Sequence, residues 1–215
     1  MTVELFGHPF SSYTWKALIA LYEAGTPFEF RNIAGDEHPE NEAAFLAHWP
    51  VGKFPLLVDD GMPIMESSII IEHVAPALVP DDRESAREVR MLDRAFDNHV
   101  MTPVQAIVAE HLPFITATPD ENRIARARAA LDKVYPWLDD RLRGRRWSAG
   151  EFFSLADCSG APALFYADWV HPIPDELASL KDYRARVLAR PSVARVVDEA
   201  RPYRHLFPLG APDRD

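Results

Sequence analysis

The chain has 215 residues, 47% of them hydrophobic, and a formal net charge of -10. That length and composition allow one large domain or two small ones with a real core, and the acidic balance argues against a nucleic-acid or anionic-membrane surface. Cys158 is the single cysteine, which excludes an internal disulfide and a cysteine-built metal cluster; no apolar run reaches membrane-spanning length and MTVELFGHPF lacks the regions of a secretion signal, so a soluble cytoplasmic protein is expected.

VELFG, residues 3–7, reads as a short strand. The loop HPFSS follows, with Ser11 and Ser12 as possible helix caps. Residues 13–24 form a helix by composition, with Trp15, Leu18, Ile19 and Tyr22 at helical spacing and Gly25 just past its end. PFEFRNI, residues 27–33, alternates like a strand. A strand, a helix and a strand this close imply a parallel pair with a right-handed crossover. The polar stretch 35–48 contains a short helix around residues 41–47. PLLV, Asp60-Gly61 and PIM then read as a hairpin, and Glu66, Ser67 and Ser68 open a buried helix. The order is β-α-β-α-β-β-α, a small mixed sheet whose ligands gather outside the carboxyl ends of its parallel strands.

Two features of this half bear on function. Pro55 begins a strand that should be central. It is either an ordinary strand start or half of a cis Phe54-Pro55 bond, which would turn the Phe54 backbone outward and offer its N–H and C=O to a ligand. Glu66 and Ser67 lie where a strand gives way to a helix. Ser67 is either a plain cap or, with the backbone donors there, a holder for a small anionic group.

Residues 80–83 read as a linker, and the rest is helical. Residues 84–111 carry Val89, Leu92, Phe96, Val100 and Val104 near helical spacing, with a kink expected at Pro103. Residues 120–143 make a second helix, 154–170 a very apolar and central third, and 175–189 and 192–201 complete the bundle. The tail from Pro202 is expected to be irregular. Ser154 and Asp157 form a capping box and are read as structural. Domain boundaries at 1–79 and 84–215 follow.

These pieces resemble the cytosolic glutathione S-transferase family over nearly the whole chain. The resemblance rests on SSYTWKALIAL (residues 11–21), VGKFP (51–55), MESSIIIEHV (65–74) and FSLADCSGAPALF (153–165), in that order. The first is similar to the serine motif of zeta- and theta-like members. Trp49-Pro50 replaces the family's usual Asn-Pro, and Tyr13 stands where zeta-like members carry a cysteine. The resemblance implies a thioredoxin-like domain, a helical domain, a homodimer, and glutathione as co-substrate with no metal. It further implies that Ser11, or its neighbour Ser12, contacts the glutathione sulfur. Phe54, before Pro55, would pair its backbone with the cysteinyl part, Glu66 and Ser67 would hold the γ-glutamyl group, and Lys53 would lie near the glycine carboxylate. Tyr13 could also supply a hydroxyl, although an aromatic core position is the plainer reading.

Conjugation needs a thiolate. Lowering an ordinary thiol pKa by about two units takes about 2.7 kcal/mol of preferential stabilisation, which a serine hydroxyl and a helix N-terminus can share. A small apolar electrophile would then bind between the domains, near Phe10 and the helix bearing Phe96, His99 and Val100. Cys158 lies in a buried helix and reads as packing, which disfavours redox exchange. The histidines show no metal-ligand spacing, and His8 reads as a loop residue beside the cleft. The favoured function is glutathione transfer to small electrophiles. Alternatives are a non-catalytic binding or interaction module, or a glutathione-dependent isomerase, dehalogenase or peroxidase.

Overall fold

Alternating apolar residues and one two-residue turn build the N-terminal half. A computed structural model describes residues 2–35 and 38–215. Strand β1 (Val3–Gly7), helix α1 (Ser12–Ala24), β2 (Glu29–Asn32), α2 (Pro39–His48), β3 (Leu56–Asp59), β4 (Met62–Met65) and α3 (Ser67–Val74) follow in order. The sheet runs β2-β1-β3-β4, with β1 and β2 parallel and the other pairs antiparallel. Leu5 faces Leu57 across β1 and β3, and neither is exposed, as central strands require. Asp60 (φ 47°) and Gly61 (φ 83°) both take left-handed backbone, the geometry of the hairpin turn expected from Asp-Gly.

The second half is helical: α4 (Arg83–Ala95), α5 (Thr102–Glu110), α6 (Glu121–Leu142), α7 (Leu155–Val170), α8 (Ala178–Leu188) and α9 (Pro191–Ala200). Every residue of α7 is buried, which its apolar sequence demands. Its start is closed by the Ser154–Asp157 capping box. The Asp157 carboxylate accepts from Ser154 N–H at 2.9 Å, Ser154 Oγ at 3.0 Å, Ser148 N–H at 2.8 Å and Tyr183 Oη at 2.8 Å. Four donors thus partly offset its burial, which still pushes the carboxyl pKa up. Cys158, one residue on, is fully buried, and burial pushes its thiol pKa well up, in keeping with a packing role.

Three elements differ from their sequence reading. The strand expected over 27–33 is trimmed to Glu29–Asn32, because Phe28 turns to pack on Tyr22 with ring centroids 5.7 Å apart. The long segment 84–111 is broken by a wide π turn over Phe96–Met101. Pro103 has no N–H to give the preceding turn, and Thr102 Oγ1 instead donates to the Asp97 carbonyl at 3.1 Å, so the irregularity precedes the proline. The tail is ordered: Arg201–Leu206 forms a 3₁₀ turn. Phe207 beyond it is buried against Trp169 at 5.1 Å, and Arg214 ion-pairs with Asp168.

The two halves meet around a buried lysine. Lys16, on the inner face of α1, is 1% exposed. Its Nζ donates to Ser68 Oγ (3.1 Å), Asp93 Oδ1 (2.9 Å) and Asp97 Oδ2 (2.8 Å). Arg94 bonds Ser68 and Asp93 from outside, and Ser159 of α7 donates to Asp93. Burial raises the Asp93 carboxyl pKa, but Lys16, Ser159 and Arg94 outweigh it and hold it below the usual range. At Asp97 burial prevails over Lys16, and the pKa sits above that range.

Two stability predictions follow from these buried groups. Asp157→Ala leaves buried donors unpaired and removes a cap, and should cost about 3 kcal/mol in urea unfolding; a loss under about 1 kcal/mol would show the cap to be dispensable. Lys16→Ala removes the buried ammonium that Asp93 and Asp97 share and should cost about 3–5 kcal/mol at pH 7. Without Lys16 the folded state holds the Asp97 proton more tightly than the unfolded state, so the deficit should shrink as pH falls toward the carboxylate range. A deficit equal at pH 7 and pH 4.5 would contradict that account.

Candidate functional site: a polar and an apolar cavity joined at Ser11

The end of β1 must turn sharply into α1. Gly7 permits this, because a Cβ there would lie 2.6 Å from the Thr14 side chain. Ser11 N–H then donates to the His8 carbonyl at 3.0 Å, closing a turn over residues 8–11. Ser11 caps α1, its Oγ accepting from Thr14 N–H at 3.4 Å. That bond is long, and the Ser11 hydroxyl proton has no acceptor among the described residues, so the hydroxyl is free to donate to a ligand.

A cavity of about 500 Å³ opens on one side of Ser11. Lys53, Phe54, Pro55, Glu66 and Ser67 line it; the two motifs that sequence placed apart are brought to one surface. The Phe54-Pro55 peptide is cis. Among the described residues, the backbone N–H and C=O of Phe54 take no protein partner. Glu66 holds φ 67°, ψ 115°, a conformation that costs a non-glycine residue about 1–3 kcal/mol. It sets the first turn of α3, whose early N–H groups lack partners within the helix, beside the cavity. Ser67 is 7% exposed and Glu66 is exposed.

Several cavity residues were missed by sequence reasoning, among them Trp49, Gly52 and Asn98. Arg94 and Asp97 come from the second half and extend the Lys16 network into the wall, and Gln105 of α5 joins them. Tyr13 also lines this cavity. It is half-buried, packed against the core as its place among apolar neighbours suggested and also open to the cleft. Burial and then Asp97 raise its phenol to about 12, so it is a neutral hydrogen-bond donor at pH 7.

A second cavity of about 400 Å³ lies on the other side of Ser11. Ser11, Phe54 and Gln105 belong to both cavities, whereas Ser12 lines only the second. Phe10, Met101, Val104, Val108 and Phe114 give it an apolar wall, and Phe207 of the tail closes one end. Phe10 is where sequence placed it. The other three residues expected to line an apolar pocket are not there: Phe96 and Val100 are fully buried in the bundle core, where their helical periodicity belongs, and His99 lies on the opposite face of its helix. His99 lines a larger cavity of about 920 Å³ between α4 and α6, which does not include the free Phe54 backbone. Tyr166 and the tail residues were missed; the aromatic-rich sequence of α7 was the available signal. Among the described residues no cluster of His, Cys, Asp and Glu is placed to hold a metal, and no helix is long and apolar enough to cross a membrane.

Comparisons with known proteins agree with this architecture. The glutathione S-transferase N-terminal domain model matches residues 1–76, and the C-terminal domain model residues 95–191. Glutathione S-transferase F6 of Arabidopsis thaliana is 26% identical over 207 residues, 91% of this chain and 99% of that protein. A probable maleylacetoacetate isomerase of Vibrio cholerae is 26% identical over 216 residues, covering 94% and 98%. The solved structure of glutathione S-transferase-I bound with lactoylglutathione superposes with a TM-score of 0.77 at 25% identity, covering 93% of this chain and all of that one. With both family models matched in order, over one fold and one paired-cavity site, the chain belongs to the glutathione S-transferase family.

Proposed function

We propose that the protein binds glutathione in the polar cavity, holds its thiol as thiolate at Ser11, and adds it to small apolar electrophiles in the neighbouring cavity. The observation that carries this reading is the position of Ser11, which alone of the three candidate hydroxyls lines both cavities. A sulfur there meets the free Ser11 hydroxyl and the N-terminus of α1, both of which favour its anion. Ser12 lines only the apolar side and Tyr13 only the polar side. The family membership supports the same chemistry.

Within the polar cavity, the unpaired Phe54 backbone suits the peptide-like cysteinyl part of glutathione, and Lys53 the glycine carboxylate. Glu66, Ser67 and the first turn of α3 suit the γ-glutamyl end: the N–H groups and hydroxyl take its carboxylate, and Glu66 is within the same wall to take its ammonium. Functional boundaries at 1–79 and 84–215 divide this work, the first part holding glutathione and the second most of the apolar wall. Exposed Val51, Met62 and Ile69 on the first part, and Met91 and Trp137 on the second, support a homodimer. A cytoplasmic location accords with reduced glutathione as co-substrate.

Calorimetric titration with glutathione, followed by an ultraviolet difference spectrum across pH, tests the reading. Ser11→Ala should raise the thiol pKa in the complex by about one to two units, roughly 1.4–2.7 kcal/mol of lost thiolate stabilisation, with affinity changed less than about threefold. The same shift from Ser12→Ala, and none from Ser11→Ala, would move the sulfur contact by one residue. Ser67→Ala removes one hydrogen bond to a charged group and should weaken binding by about 10-fold or more, about 1.5–3 kcal/mol, while leaving the thiol pKa in place. Equal affinity of this variant and the parent would take Ser67 out of the site.

A further inference from the structure

The turn that presents Ser11 also presents a histidine. His8 and Ser11 are its two ends, joined by the 3.0 Å bond from Ser11 N–H to the His8 carbonyl. The rest of the turn is equally fixed: Trp15 Nε1 donates to the Pro9 carbonyl at 2.8 Å, and the Tyr166 hydroxyl to the Phe10 carbonyl at 3.0 Å. Phe10 N–H donates to His8 Nδ1 at 3.0 Å. Because a backbone N–H can only donate, Nδ1 must be the acceptor, and the neutral ring carries its proton on Nε2. The ring stacks against Phe54 with centroids 6.1 Å apart and planes at 25°. Burial holds its pKa below the ordinary histidine value, so the ring is neutral at pH 7.

His8 lines the apolar cavity together with Ser11. Its Nε2–H has no acceptor among the described residues and is not one of the enclosed polar atoms. A neutral donor with a fixed tautomer therefore stands open beside the place where sulfur would lie. The apolar wall of Met101, Val104 and Val108 offers no other. Ser11 is committed to the sulfur, Ser12 is nearly buried at the first position of α1, and Gln105 is an exposed side chain that must be ordered before it can donate, whereas the His8 ring is already held.

Building on the glutathione-transfer reading, we propose that His8 Nε2–H donates a hydrogen bond to the carbonyl oxygen of an α,β-unsaturated aldehyde or ketone as glutathione adds to it. In this step the thiolate sulfur forms a bond to the β-carbon. The carbon–carbon π pair shifts to make an enolate, and negative charge grows on the oxygen facing His8. The imidazole keeps its proton and stabilises that charge as a donor. The α-carbon then takes a proton from water, replacing the one the glutathione thiol released. Nothing is oxidised or reduced and no group leaves. His8 is thus a catalytic residue for electrophiles of this kind, and a cavity of about 400 Å³ has room for one with a short alkyl or aryl tail.

The test compares kcat/KM for trans-2-hexenal with that for benzyl chloride, which has no acceptor oxygen. His8→Phe keeps a ring against Phe54 and removes the donor; the hexenal-to-chloride ratio should fall by about 10- to 100-fold. His8→Gln restores a donor near Nε2 and should recover the ratio to within roughly threefold of the parent. An unchanged ratio in His8→Phe, an equal loss for both electrophiles, failure of His8→Gln to recover, or a loss seen instead in Ser12→Ala would each overturn the proposal. A parent that binds glutathione as thiolate but does not turn over hexenal would overturn this inference alone. A parent that shows no bound thiolate would overturn the glutathione-transfer reading with it.

Discussion

A single ammonium group ties the molecule together. Moving Lys16 out of water costs several kcal/mol, and the cost is offset only because three elements converge on it: α1 carries the lysine, α3 carries Ser68, and α4 with the turn after it carries Asp93 and Asp97. Displacing any of them leaves a buried charge uncompensated. The helices therefore have one mutual arrangement rather than a range. Lys16 sits just over a turn from Ser11, Ser68 is next to Ser67, and Asp97 lies in the polar wall. The network that fixes the domain interface is the network that fixes the site. Its two acids are not equivalent. Asp93 has Lys16, Arg94 and Ser159 and stays readily ionised, whereas Asp97 is left with the dominant effect of burial.

Around that anchor the site divides its chemistry in space. Donors gather on one side of Ser11, in the free backbone of Phe54 and the opening turn of α3, and aliphatic and aromatic walls on the other. Such separation suits a reaction between a charged, peptide-like partner and an apolar one. Each cavity desolvates what it can compensate, and only the reacting atoms meet at the border. The His8–Ser11 turn is that border. Trp15, Tyr166 and the Phe10 N–H consume its internal hydrogen-bonding groups, leaving the Ser11 hydroxyl and the His8 Nε2–H without an acceptor among the described residues.

What the sequence made legible was local. Period-two alternation, the Asp-Gly turn and the capping box each depend on neighbours a few residues away, and each appears in the structure, the second strand alone shortened at its ends. The loop with Pro55 and the start of α3 was legible for the same reason. Lys16 was not, since its partners lie far along the chain and a lysine in a helix ordinarily faces water. The apolar pocket failed differently. Periodicity marks residues that face a core, and Phe96 and Val100 do face one; a cavity wall is made of half-exposed groups at element ends, such as Phe10, Met101 and the ordered tail. Helical spacing carries no signal for those, and the π turn before Pro103 further rotates the face on which His99 falls.

The free groups of the site are a cost the fold carries before any ligand arrives. Glu66 is held at positive φ and, among the described residues, the Phe54 amide makes no internal bond and the first N–H groups of α3 are uncapped by any side chain. In an ordinary loop each would relax by a small rotation. Here β4 on one side and the Lys16–Ser68 contact on the other prevent it, so the unsatisfied donors stay aimed into the cavity. An anionic, peptide-like ligand meets them without first having to order them, and the interaction energy goes into binding rather than into rearranging the protein. The buried ion network thus does more than join two domains: by refusing α1 and α3 any freedom, it keeps the site in the strained, open-handed form that a ligand completes.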